Sequence, residues 1–108
     1  MKKRILNILG LAQKAGRLAA GERAVEDAIR SGKARLLLIA KDASANSRKH
    51  PSDMAVYRSL PYVFWGNKEE LGRTIGKEER SGIVINDPGL ADRIQVLLKE
   101  ESEEKEGE

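Results

Sequence analysis

Apolar positions along the chain switch repeatedly between a helical period and short continuous runs. Ile5, Ile8, Leu9 and Ala12 recur at helical spacing, which predicts a first helix that stops at Gly16. Arg17 to Ala20 reads as a short linker or an edge strand. Helical spacing returns after Gly21, where Val25, Ala28 and Ile29 share one face. Arg23, Glu26, Asp27 and Arg30 share the opposite, polar face, and Gly32 closes the helix. Leu36 to Ala40 is an unbroken apolar run that ends on Lys41 and Asp42, as a strand buried on both faces would.

The second half repeats the alternation. Asp42 or Ser44 can cap a helix start, but Pro51 cannot sit deep in a helix without removing a bond. The expectation is a turn up to Lys49 and a fresh helix from Pro51 to about Arg58, with His50 a solvated loop residue. Leu60 to Trp65 predicts a strand led by Pro61, with Trp65 packed on its end. Asn67 and Glu70 stand at the spacing of a capping box, and the helix they open runs to Gly76. A polar loop, residues 77–82, precedes a short buried strand, Ile83 to Ile85. Asp87 and Pro88 then open a last helix on Leu90, Ile94, Leu97 and Leu98. Helices alternating with short strands imply a sheet covered by helices on both faces.

Composition and charge narrow the function. The 108 residues suit one domain, placed at residues 1–98. The last ten, KEESEEKEGE, carry net −4 and no apolar residue, so 99–108 is expected to be an acidic disordered tail. Residues 1–50 carry net +8 and residues 51–98 net −1. That lopsided field favours a polyanionic partner. One histidine and no cysteine leave no multi-histidine or thiolate metal site. The glycines near Lys33 and Lys77 lack the spacing and hydroxyl of a phosphate loop. Glu78 and Glu79 are simply adjacent in a loop. No catalytic residue, metal or cofactor is therefore expected, nor a membrane span. A monomer in the cytoplasm is the expected setting.

Several segments in order resemble the kink-turn-binding ribosomal protein family, of the L-seven-Ae and L-thirty-e type, and its small bacterial YlxQ-like branch. They are GLAQKAGRLAAGERAVEDAIRSGKARLLLIAKDAS, LPYVFWGNKEELGRTIGKEER and the Asp87-Pro88-Gly89 turn with the helix after it. The likeness spans residues 4–98. It implies a three-layer α-β-α sandwich with a four-stranded mixed sheet. It also implies RNA, ribosomal or otherwise structured, as the partner, and possible association with the ribosome.

In that family the N-terminal end of the second helix, here at Gly21, enters the opened groove of a bent RNA. The loop here formed by residues 77–82 closes over a protruding nucleotide. Carried over, this makes Gly21, Glu22, Arg23, Ala24, Asp27, Arg30, Lys33, Lys41, Lys77 and Arg80 the candidate RNA-binding residues. The best-characterised relatives carry Asn, Glu and Lys where this chain has Arg23, Ala24 and Asp27, and apolar residues where it has Lys77 to Arg80. A standard kink-turn is therefore expected to bind weakly. Three alternatives stand beside this reading, the weakest being a small-molecule or nucleotide binder using the Gly66 to Gly76 region. The helix face can be neutral and self-satisfied through Glu26–Arg30 and Asp27 pairing with Arg30 or Arg23. The same fold can also serve as a protein–protein interaction module.

Overall fold

The computed structural model describes residues 2–106, with side chains up to Glu103. Five helices and four strands follow in the order α1 (Lys2–Lys14), β1 (Leu18–Ala20), α2 (Glu22–Arg30), β2 (Leu36–Ile39), α3 (Ala45–Tyr57), β3 (Tyr62–Phe64), α4 (Lys68–Thr74), β4 (Gly82–Ile85) and α5 (Pro88–Glu106). The sheet order is β1-β4-β2-β3. β4 lies antiparallel to β1 and to β2, while β3 is parallel to β2. This is the expected mixed sheet. α2 and α3 pack together on one face, and α1, α4 and α5 on the other.

The central pair explains the order. Leu36 to Ala40 and Ile83 to Ile85 are buried, so β2 and β4 must be covered on both sides. Each helix contributes its apolar stripe: Ile5, Ile8, Leu9 and Ala12 from α1; Val25, Ala28 and Ile29 from α2; Ala91 and Ile94 from α5. Caps fix the entries. Ser44 Oγ accepts from Ser47 N–H at 3.2 Å, and Asp87 Oδ2 accepts from Leu90 N–H at 2.8 Å. Asn67 and Glu70 form the capping box. Asp42 caps α4 rather than α3, its Oδ1 accepting from Lys68 N–H at 2.9 Å.

Two expectations are corrected. First, α3 is one helix through Pro51, and His50 is helical rather than in a loop. Only Ala55 of α3 is fully buried, so the helix lies at the surface. Its Ser44 cap and its packing on α2 start it before the proline, and the bond lost to the Ser47 carbonyl is borne within an otherwise intact helix. Second, the tail is not disordered as far as Glu106: α5 runs through it. Glutamate and lysine are strong helix formers, and no glycine or proline intervenes before position 107. The expectation for residues 107–108 lies outside the described residues.

Glu101 gives that extension a tertiary contact. It follows Leu97 and Leu98 on one helical face, and its Oε1 accepts from Trp65 Nε1–H at 3.2 Å. Trp65 is buried, as expected of a tryptophan closing a strand. Glu101→Ala should therefore cost about 1–2 kcal/mol, because the indole N–H loses its partner. Urea unfolding followed by the fluorescence of this single tryptophan checks it; an unchanged midpoint would mean water replaces the carboxylate without loss. No helix among the described residues is long and apolar enough to cross a membrane.

Candidate nucleic-acid interface

α2 begins at a residue only glycine suits. Gly21 has φ 96° and ψ 150°, in the left-handed half of the map, and carries no side chain to cap the helix. The first helical bond is Val25 N–H to the Gly21 carbonyl at 2.9 Å. The N–H groups of Glu22, Arg23 and Ala24 thus lie ahead of the helical ladder, and all three residues are exposed. A helix start of this kind offers donors and partial positive charge to an acceptor.

Residues 76–81 bring a cation to that start. A Cβ at Gly21 would lie 4.0 Å from Arg80 Nε. Arg80 Nη1 donates to the Glu79 carbonyl at 2.9 Å, which restrains the guanidinium against its own loop. The loop is itself tied down: Arg80 N–H donates to Lys68 O at 3.1 Å, and Ala40 N–H to Ser81 O at 2.9 Å. That last bond sets Lys41, the next residue and exposed, beside the loop as well.

The remaining candidates are spread more widely. Arg30 is committed to Glu26, Nη2 to Oε1 at 2.6 Å, and Glu26 Oε2 lies 3.5 Å from His50 Nε2. Arg23 and Asp27 are exposed and form no ion pair among the described residues, so the face is only half self-satisfied. Lys77 lies over α4 in a shallow depression of about 640 Å³ shared with Glu69, Arg73, Glu78 and Glu79. Lys33 follows the C-terminal end of α2. A nine-residue helix is about 13 Å long, so Lys33 lies at the opposite end of the sheet from Gly21. Gly21, Glu22, Arg23, Ala24, Lys41 and Arg80 are thus brought together, Asp27 lies a turn below, and Arg30, Lys33 and Lys77 are elsewhere.

Sequence reasoning missed the α3 wall of this region. Ser47, His50, Pro51 and Met54 line a cleft with Glu22, Val25 and Glu26 of α2 and with Ser81. Their spacing, i, i+3, i+4, i+7, is the pattern that would have revealed one helical face, had Pro51 not suggested a break. The cleft measures about 20 Å³, room for one water and not for a base. A nucleotide would have to bind on the surface above it.

The sequence pattern of the ribosomal protein L7Ae/L30e/S12e/Gadd45 family matches residues 3–95. The chain belongs to that family. It is 38% identical over 91 residues to the RNA-binding protein YlxQ of Bacillus subtilis strain 168, covering 84% of this chain and 91% of that protein. The Enterococcus faecium RNA-binding protein YlxQ is 33% identical over 99 residues, with 91% and 94% covered. A solved structure of a Bacillus halodurans C protein with unknown function superposes with a TM-score of 0.83 at 34% identity, over 88% of this chain and 96% of that one. Membership of the L7Ae/L30e/S12e/Gadd45 family fits the sandwich described above. Its ribosomal and RNA-binding members are not enzymes, so the chain is read as non-enzymatic.

Proposed function

We propose that the chain is a non-catalytic RNA-binding protein that seats structured RNA on the N-terminal end of α2, beneath residues 77–82. One observation carries the reading: an uncapped helix start at Gly21 with the Arg80 guanidinium beside it. The relatives named as RNA-binding proteins make RNA the natural acceptor. Glu22 and Asp27 stand nearby and oppose a phosphate, so the surface suits base edges and 2′-hydroxyls in an opened groove. The RNA is of the sharply bent, kink-turn-like or ribosomal kind, met in the cytoplasm.

Filter-binding titrations against total bacterial RNA at two salt concentrations test this. Binding should weaken with salt to the extent that Arg80 and its neighbouring cations hold phosphates. Arg80→Ala should lower affinity severalfold and flatten the salt slope by about one unit, the signature of one lost phosphate contact. Unchanged affinity and slope would remove the loop from the RNA surface.

A further inference from the structure

We propose that the opposite end of the sheet is a second RNA-binding surface, one that holds the backbone of an unpaired strand. It presupposes an RNA-binding chain but not docking at α2. α1, α2 and α3 all end there, closing on Lys14, Arg30 and Arg58. Arg17 and Arg35 flank the end of β4: Arg35 N–H donates to Ile85 O, and Asn86 N–H to Arg17 O, both at 2.8 Å. Lys33 stands in the turn between α2 and β2. Lys14, Arg17, Lys33, Arg35 and Arg58 are exposed, and none forms an ion pair among the described residues. Asp87, which leads into α5 at this end, is occupied in capping it.

The structural role of these cations does not account for all of them. Lys14, Arg30 and Arg58 close helices and complement their C-terminal partial charge. Arg17 and Arg35 lead into strands and have no such task. The Gly21 end, by contrast, mixes its cations with Glu22, Asp42, Glu69, Glu78 and Glu79. Net positive charge, rather than the number of cations, is therefore greater away from the docking helix, where a polyanion gains most from it.

Two further features specify an unpaired RNA strand. A groove of about 340 Å³ runs between the ends of α2 and α3, with Arg35 and Arg58 on its walls and Ile29 and Leu60 among its lining. Tyr57 beside Arg58 is 85% exposed, and Tyr62 at the start of β3 is 39% exposed. Three of the four aromatic residues in this chain are exposed, and these two border the basic end. Exposed rings next to arginines give unpaired bases a stacking face while guanidiniums hold the phosphates.

The test uses the full chain with two probes, an oligouridine of about 20 nucleotides and a hairpin carrying a standard kink-turn. The combined change Lys33→Gln, Arg35→Gln, Arg58→Gln should weaken oligouridine binding at least about tenfold near 100 mM salt and flatten its salt slope by about two units. Tyr57→Ala should weaken it severalfold without altering the slope, because stacking releases no counterions. Arg80→Ala should leave oligouridine binding unchanged. Gln rather than Glu avoids a fold-disrupting charge reversal, and a thermal melt confirms each variant is folded. Wild-type oligouridine binding by the triple variant overturns the second surface, as does equal affinity for a polyphosphate chain of the same charge. Oligouridine binding lost in Arg80→Ala and kept in the triple variant would leave the α2 surface standing without this one. Oligouridine binding that survives Arg80→Ala and falls in the triple variant supports this surface whether or not the hairpin binds, since a standard kink-turn is expected to bind weakly.

Discussion

Replacing Gly72 with alanine is expected to cost about 3 kcal/mol and to lower Tm by roughly 12–24 °C. Gly72 is buried in α4, where residues 76–81 fold back over it. A Cβ there would lie 1.9 Å from the Glu78 carbonyl oxygen, 2.6 Å from its carbonyl carbon and 3.0 Å from Glu79 Cα. Those are backbone atoms, so no rotamer change makes room. The loop is pinned by Lys77 N–H to Gly72 O at 2.9 Å and by the Lys68 and Ser81 bonds already described. The loop must therefore lift as a unit, which carries Arg80 away from Gly21. RNA binding should fall with stability, even at temperatures where the variant stays folded. Gly10→Ala is the matched control. Gly10 is also helical, in α1, but its Cβ would meet only the Thr74 carbonyl at 3.9 Å, an ordinary contact. Alanine there should stabilise by about 0.5–1 kcal/mol through helix propensity. Thermal melts followed by circular dichroism compare the two; a wild-type Tm for Gly72→Ala would show that the loop does not rest on α4.

The close approach at Gly72 was not visible in the chain alone, although the fold around it was. The stripes on α1, α2 and α5 and the apolar run of β2 are local patterns, and burial follows them directly. α3 was misread because the proline rule is local. It weighs one lost bond at Pro51 but not a helix already started at Ser44 and packed on α2. The tail was misread for a related reason. Absence of apolar residues predicts no burial, yet Glu101 contributes an acceptor to the indole of Trp65, from 36 positions earlier in the chain.

For the candidate site, the helix start was legible and the grouping of charges was not. Lys33 and Lys41 are separated by β2, which runs back along α2. They consequently fall at opposite ends of the sheet, although both flank the same strand in sequence. Gly21 and Arg80 are remote in sequence and meet because β4 sits beside β2 and ties Ser81 to Ala40. Only the strand order carries that information.

The combined change Arg23→Asn, Ala24→Glu, Asp27→Lys is expected to strengthen binding to a standard kink-turn by about 2–4 kcal/mol, roughly 30-fold to several-hundred-fold. The three positions lie in the first two turns of α2, exposed on the face that leads from Gly21. As the chain stands, Asp27 is a carboxylate without an ion pair among the described residues, set where an approaching phosphate would be repelled. Ala24 leaves a base edge without a partner. An asparagine at 23 and a glutamate at 24 supply amide and carboxylate groups for purine edges, and each good base contact contributes about 1–3 kcal/mol. The lysine at 27 turns repulsion into a charge-assisted bond, offset slightly by Arg30 one turn on. The single change Asp27→Lys should capture part of the gain and lose it at high salt, where exposed charges are screened. The base contacts should survive that screening, so the triple change keeps an advantage that the single change does not. Titrations of all three proteins at two salt concentrations separate the terms. A wild type already nanomolar, with the triple variant weaker, would make Arg23 and Asp27 readers in their own right. The docking end of α2 would then stand, and the roles carried over from the relatives at these positions would not.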